Sequence, residues 1–144
     1  MKVQQLTIFL ENKSGRLAEV ANILAQACVN MRALSLADTT DFGILRLIVD
    51  DEVKAVNILR EKGITAVMTD VTAVVLEDKP GGLAKALNAL RQEKIDIEYL
   101  YSAATRKDCA YIIFRFNNAE KAIQILQKTG IRVLTREQLL AVES

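Results

Sequence analysis

The stretches LENKSG at residues 10–15 and LEDKPG at residues 76–81 decide how the rest of this 144-residue sequence is interpreted. Each follows a short apolar run and precedes an amphipathic segment. Gly15 and Gly81 are 66 positions apart, and the agreement continues beyond them with a single one-residue shift. Further matches are Leu17 with Leu83, Leu24 with Leu90, Leu34 with Leu100, Gly63 with Gly130 and Ile64 with Ile131. So many agreements in the same order predict an internal duplication, which has to be recognised before a fold is assigned.

Each copy predicts the same order of secondary structure. The alternation of Leu6, Ile8 and Leu10 indicates a first strand, and the helical spacing of apolar residues from Leu17 onward indicates a helix. The remaining predicted elements are strands at 31–37 and 97–103, strands at 44–49 and 111–116, helices at 52–62 and 119–128, and strands at 64–68 and 131–134. The order βαββαβ, written twice, predicts an α+β protein of two ferredoxin-like units, at residues 1–69 and 70–144, with antiparallel sheets and helices on one face.

The residues at the ends of the predicted helices support these boundaries. Gly63 and Gly130 follow the second helix of each copy, where glycine tolerates the left-handed conformation that closes a helix. Thr135 and Gln138 have the spacing of a capping box, which predicts a brief C-terminal helix.

Both faces of each predicted sheet carry apolar residues. The face toward the helices would hold Ile8, Leu34, Leu45, Leu47 and Val49, with Val74, Leu100, Ile112, Phe114 and Phe116 as their copies. The opposite face would hold Phe9, Ala33, Ile44 and Ile48, with Val75, Tyr99, Tyr101, Tyr111 and Ile113 in the copy. A single antiparallel sheet normally presents a polar second face to water. We therefore expect sheet-to-sheet packing, between units or between subunits.

Composition narrows the possible functions. The chain has 19 basic and 18 acidic residues and no basic stripe, so nucleic-acid binding is not predicted. It has no histidine, the commonest general base and metal ligand, and we expect no catalytic residue, no metal site and no cofactor. Cys28 and Cys109 lie in apolar segments and are expected to be small core residues. No apolar run reaches membrane-spanning length and no signal peptide is evident, which favours a cytoplasmic location without membrane binding.

The sequence also bears on two rival functions. Against an enzyme, the sequence has no Walker loop, dinucleotide-binding or nucleophile-elbow motif, and Asp78 and Asp96 both lie at structural turns. An RNA-recognition domain shares the topology, and residues 107–114 imitate its third-strand motif. However, Cys109 occupies one of the stacking positions and residues 72–76 contain no aromatic residue. Both rivals are disfavoured.

Each half of the chain resembles an ACT domain, a small regulatory module that senses amino acids in metabolic enzymes. The resemblance rests on LENKSGRLAEVANILAQACVNM in the first half and LEDKPGGLAKALNALRQEKIDI in the second. Both are similar to the family pattern of strand, Asp/Asn-x-Pro-Gly turn, helix and Asn-Ile, although Ser14 replaces the usual proline and Asp96 the usual asparagine. The resemblance implies that these positions contact a small amino acid between neighbouring ACT domains. The implied ligand-binding residues are Asn12, Ser14, Gly15, Leu17, Asn30 and Met31, and in the copy Asp78, Pro80, Gly81, Gly82, Leu83, Asp96 and Ile97.

Physical chemistry also favours a ligand at these turns. A glycine at a helix start lets a ligand approach the backbone, and the free N–H groups of the first turn attract a carboxylate. Asn12 and Asn30 offer neutral amides, which we expect to meet if the helix returns beside its strand. Because Asp78 and Asp96 would together repel an α-carboxylate, the site with the two asparagines is predicted to bind amino acids better. The same residue types are also what any strand-to-helix turn requires for capping.

The sequence therefore predicts a non-catalytic, homodimeric amino-acid sensor whose subunits associate through sheet or edge packing. The alternative is a regulatory subunit that docks on an amino-acid biosynthetic enzyme, in the manner of the small subunit of acetolactate synthase.

Overall fold

The computed structural model describes residues 1–11, 13–38 and 42–142. The chain divides into two compact units. Gln4–Thr69 form the first unit, and Met1–Val3 together with Asp70–Ser144 form the second.

The elements follow the predicted order twice. The first six elements are β1 (Val3–Glu11), α1 (Arg16–Gln26), β2 (Met31–Asp38), β3 (Phe42–Val49), α2 (Glu52–Glu61) and β4 (Thr65–Glu77). They are followed by α3 (Gly82–Gln92), β5 (Ile97–Arg106), β6 (Cys109–Phe116), α4 (Ala119–Lys128), β7 (Arg132–Leu134) and α5 (Arg136–Leu140). Two separately predicted strands are a single strand, β4, which ends one βαββαβ unit and begins the next. The tandem α+β architecture is confirmed.

Strand pairing sets the direction of each element. In the first unit β3 lies between β1 and β2 and is antiparallel to both. In the second unit β6 lies between β4 and β5, and β7 pairs with the other side of β4. Because β1 and β2 are each antiparallel to β3, they run in the same direction. The start of β2 therefore lies at the end of the sheet where β1 begins, and the helix α1 carries the chain back along the sheet's length.

Each unit has a separate hydrophobic core beneath its helices. The first core contains residues between Leu6 and Ala66, and the second contains residues between Val74 and Val133. Leu34 and Leu100 were wrongly predicted to be core residues. Both pair with core residues of the neighbouring strand, yet they are 58% and 39% exposed. They lie on β2 and β5, the outermost strands of the described sheet, where burial on the helix side is incomplete.

The face of each sheet away from the core is covered at several positions. Ala33 and Ile48 of the first unit and Tyr101 and Ile113 of the second are buried. The buried side chain of Gln5 donates from Nε2 to the Thr7 hydroxyl at 3.0 Å. The apolar second face is therefore not simply presented to water, and the predicted sheet-to-sheet packing stays a prediction.

The ends of the helices agree with the sequence analysis. The capping box of Thr135 and Gln138 is present, and Gly63 and Gly130 adopt φ values of +76° and +83°. The prediction for Cys28 was wrong: it is exposed, with φ +59°, directly after α1. The apolar periodicity of α1 ends before Cys28, which occupies the left-handed turn that Lys94 occupies in the copy. Cys109 is half-buried.

Candidate functional site

The turns before α1 and α3 have the same backbone hydrogen bonds. Lys13 N–H donates to the Glu11 carbonyl at 2.7 Å, as Lys79 N–H does to that of Glu77 at 3.0 Å. The glycine that follows each turn is left-handed, with φ +87° at residue 15 and +90° at residue 81. An L-residue rarely adopts such angles, so glycine at both positions is explained by the backbone alone. A Cβ there would meet no atom within 4 Å, so the space beside both glycines is open.

The helices that follow these two turns begin without a side-chain cap. Asp51, Asn118 and Thr135 cap α2, α4 and α5 by accepting a hydrogen bond from a first-turn N–H group. The cap positions of α1 and α3 are the glycines of the repeated turns, and no side-chain cap bond is formed there within the described part of the chain. Helix N-termini with unsatisfied N–H groups and a positive dipole end favour a carboxylate or another anion.

A cavity lies beside each turn at equivalent positions of the two units. The first has a volume of about 240 Å³ and the second about 280 Å³. Both are bounded by the end of the unit's first strand and by the glycine and isoleucine after its second helix. The first is lined by Phe9, Leu10, Glu11, Arg16, Phe42, Gly63, Ile64 and Thr65. The second is lined by Val75, Leu76, Glu77, Lys79, Pro80, Gly81, Gly82, Lys85, Gly130 and Ile131.

The walls of the two cavities differ. In the first cavity Phe9 and Phe42 pack edge to face, with ring centroids 5.8 Å apart. In the second cavity Val75 occupies the position equivalent to Phe9. The first also contains Arg16, whose guanidinium contacts Glu19 at 2.8 Å and Glu11 at 3.5 Å.

In the second cavity the position equivalent to Arg16 is Gly82, and two lysines, Lys79 and Lys85, face one glutamate. Lys79 lies 2.6 Å from Glu77. The hydrogen bond from Lys79 and the charge of Lys79, together with the charge of Lys85, hold the pKa of the Glu77 carboxyl below the usual range.

At the first turn Glu11 also faces two cations, Lys13 at 2.9 Å and Arg16 at 3.5 Å, but Arg16 contacts a second carboxylate, Glu19. The second turn therefore has the larger excess of cationic groups and is the more favourable of the two for an anion.

The two halves of each predicted ligand set lie at opposite ends of their unit. Glu11, beside the turn, pairs with Phe42, whereas Met31 pairs with Val49. Phe42 and Val49 are seven residues apart on β3, a separation of roughly 23 Å. The expectation that Asn30 meets the turn of its own unit was therefore wrong. α1 and β2 place its backbone beside Asp50, whose Oδ1 accepts its N–H at 3.0 Å.

The copy has the same arrangement. Asp96 donates its N–H to Asn117 Oδ1 at 3.0 Å, at the start of β5, with Ile97 next to it. Asp78 lies at the turn, where its N–H donates to the Asp108 carbonyl at 2.8 Å. The two carboxylates do not meet within one unit, so their joint repulsion of a ligand there does not apply.

The other predicted residues lie near the turns. Asn12 is outside the described residues. Ser14 and Leu17 border a second hollow of about 240 Å³ on the β2 side of the first turn, together with Leu36 and Asp38. Pro80, Gly81 and Gly82 line the second cavity, and Leu83, like Leu17, is an exposed leucine in the first turn of its helix.

The cationic and apolar walls of the cavities were not predicted from the sequence. Arg16 and Lys85 follow the turns by a few residues, and their position in the first helical turn was a usable signal. Phe42 and Ile64 come from distant parts of the chain, and only the strand pairing brings them to the turn.

Comparisons with known proteins agree with this fold. The family model described as an ACT domain pair matches residues 1–142. A crystal structure of a protein from Bacteroides thetaiotaomicron is 40% identical, with 99% of this chain and 98% of that chain covered and a TM-score of 0.92. The ligand-free regulatory subunit of aspartate kinase from Thermus thermophilus is 18% identical, with coverage of 88% and 91% and a TM-score of 0.64. The corresponding subunit from Thermus flavus is also 18% identical, with coverage of 88% and 92% and a TM-score of 0.62. No protein of curated function matches significantly.

Within the described residues no helix is long and apolar enough to cross a membrane. The sequence match over nearly the whole chain, the two βαββαβ units and the repeated glycine turns lead to one conclusion. The chain belongs to the ACT domain pair family, whose domains are regulatory modules rather than catalytic ones.

Proposed function

We propose that this protein is a non-catalytic regulator that binds a small amino acid at the turn between the first strand and first helix of its ACT domains, residues 1–69 and 70–144. The observation that carries the proposal is the recurrence of one arrangement in both copies: a helix start to which no described side chain forms a cap bond, opening on a cavity of 240–280 Å³.

The chemistry of the cavities suits a zwitterion. The helix N-terminus and Lys85 or Arg16 would receive the α-carboxylate, and Glu11 or Glu77 would receive the ammonium group. The apolar residues of each cavity, such as Phe9 in the first unit and Val75 in the second, would contact the ligand's side chain.

The separation within each unit supports a ligand held between two neighbouring ACT domains. Asn30 and Asp96 are too far from the turn of their own unit to share a small ligand with it. They could act on such a ligand only from another domain. A ligand that bridges two domains would bind the assembled form more tightly than the separated form. It would therefore shift the equilibrium toward the assembled form, and this shift is how ligand binding would regulate the protein's activity as a regulator.

Thermal melting of the full chain against each of the twenty amino acids tests the proposal. A ligand at 100 times its dissociation constant should stabilise the folded protein by about 2.7 kcal/mol. Lys85→Gln should reduce the shift, whereas Lys121→Gln, the same change on an exposed position of α4, should not. A protein that melts at the same temperature with every amino acid would refute the proposal.

The alternative, a subunit that regulates a biosynthetic enzyme, stays a prediction. A homodimer that responds to an amino acid without a further protein would favour the sensor.

A further inference from the structure

The charged side chains at the first turn neutralise one another. Lys13, Glu11, Arg16 and Glu19 form a continuous chain of ion pairs, with successive distances of 2.9, 3.5 and 2.8 Å. The chain contains two cations and two carboxylates, so its net charge is zero. A ligand that enters the first cavity therefore meets a turn without an excess of either sign.

The equivalent positions of the second unit do not form such a chain. Gly82 stands where the first unit has its arginine, and Lys85 stands where the first unit has its second glutamate. Lys79 pairs with Glu77 at 2.6 Å, whereas Lys85, which lines the cavity, forms no ion pair with a described residue. Lys85 is nevertheless near enough for its charge to lower the pKa of the Glu77 carboxyl. The second cavity thus has a cation in its wall that no described carboxylate holds in an ion pair.

Further charged residues near the second cavity do not remove this excess. Asp78 lies at the same turn without lining the cavity, and Arg132, which pairs with Val75 of the cavity wall, adds another cation. The first unit has the uncharged residues Asn12 and Thr65 at the two equivalent positions. With these residues included, the second turn has three cations against two carboxylates, while the first turn has two of each.

The apolar walls of the two cavities also differ. Phe9 and Phe42 line the first cavity, and the strand pairing places Val75 and Cys109 at the equivalent positions of the second unit. No aromatic side chain of the described residues lines the second cavity. Two aromatic rings favour a ligand with an apolar side chain, because their contact removes apolar surface from water. The second cavity offers less of this contact.

From the lysine without an ion pair and the missing aromatic wall, we propose that the cavity of the second unit selects an amino acid with a carboxylate side chain, aspartate or glutamate, and that Lys85 determines this specificity. The inference rests on the proposed function, since the amino acid has to occupy this cavity. An amino acid with an uncharged side chain is a zwitterion and leaves the excess positive charge in place. An acidic amino acid carries one further negative charge, which neutralises it.

Calorimetry of the full chain with L-glutamate and L-glutamine, and with L-aspartate and L-asparagine, tests the specificity. The two members of each pair have nearly the same size and shape and differ in the charge of the side chain. At low ionic strength each acid should bind about fivefold more tightly than its amide, as expected for one exposed charge contact. Added salt should reduce this ratio of affinities, because exposed charges are screened.

Three variants locate the source of the specificity. Lys85→Glu introduces the residue type that the first unit has at this position and should abolish the ratio. Lys85→Arg keeps the positive charge and should retain it. Lys121→Glu makes the same charge reversal on α4, whose start lies beside Asn117 and Asp96 at the opposite end of the second unit, and should also retain the ratio.

Equal affinities for acid and amide, or a ratio that Lys85→Glu leaves unchanged, would overturn the inference. If amino acids bind but the acids are not favoured, the proposed function stands and the specificity fails. If no amino acid binds, the proposed function fails and the specificity with it.

Discussion

Gly82, the first residue of α3, leaves no room for a side chain beside the carbonyl oxygen of Glu77, the last residue of β4. A Cβ on residue 82 would collide with that oxygen, a backbone atom that cannot rotate away. We expect Gly82→Ala to lower the free energy of unfolding by about 1–3 kcal/mol because the helix start must move. Urea denaturation measures the change.

The other unit provides the control for this substitution. Arg16 occupies the equivalent position, where its side chain contacts Glu11 and Glu19 near the surface. Arg16→Ala should cost about 0–1 kcal/mol, the usual range for exposed ion pairs. Equal losses for the two variants would contradict the steric explanation.

The capped and uncapped helices should respond differently to loss of a side chain. Asp51 and Asn118 each accept a hydrogen bond from a first-turn N–H group, so Asp51→Ala and Asn118→Ala should each lower stability by about 1 kcal/mol. Ser14 precedes the glycine that caps α1, and Ser14→Ala should change stability by less than about 0.5 kcal/mol. Thermal or urea unfolding of the three variants checks this; a large loss for Ser14→Ala would mean that its hydroxyl supports the turn.

The glutamates at the two turns should titrate below their usual range. The hydrogen bond from Lys13, then its charge and that of Arg16, lower the pKa of Glu11, and Lys79 does the same for Glu77. A carboxylate whose pKa is lower in the folded state adds stability above its unfolded pKa, and this stability is lost as the pH falls through the folded pKa. Carboxyl-carbon NMR titration of Lys79→Gln should show the pKa of Glu77 rising while that of Glu11 stays. A Glu77 titration unchanged by the substitution would exclude the lysine as the cause.

Asp78 and Asp96 should be energetically independent in the protein without ligand. They lie at opposite ends of the second unit, and substitutions more than 7–10 Å apart usually add within about 0.5 kcal/mol. A double-mutant cycle of Asp78→Asn and Asp96→Asn on unfolding free energy should therefore show no coupling. Calorimetry of amino-acid binding with the same four proteins should show coupling if the ligand bridges two domains. Coupling of the two residues in unfolding would contradict their observed separation.

The asymmetry between the two sites can be measured by the same method. Calorimetry of Asn12→Ala and Asp78→Ala compares the contribution of the two turns. The prediction of a better first site rested on joint repulsion by Asp78 and Asp96, which does not apply within one unit. It now requires that Asn12 itself contribute more to binding, so that Asn12→Ala gives the larger loss. Equal losses would refute that asymmetry.

Much of the fold could be predicted because its signals are local. The alternation of Leu6, Ile8 and Leu10, the glycines after α2 and α4 and the capping box at Thr135 each depend on neighbours within a few residues. The errors concern long-range geometry. Leu34 has a core residue's pattern, but the sequence does not show that its strand is outermost. Asn30 was placed beside the turn because the sequence does not show in which direction the helix crosses the sheet; α1, with 11 residues, carries the chain about 16 Å away.

The separate cores of the two units have a consequence for how this duplicated chain can change. The hydrophobic core of each unit is formed by residues of that unit alone among the clustered residues. A mutation beside the cavity of one unit therefore does not require a compensating mutation beside the cavity of the other unit. The arginine at position 16 and the glycine at position 82 record such a divergence between once-identical sequences. Duplication of this kind allows one copy to acquire a new ligand preference while the other retains the ancestral one.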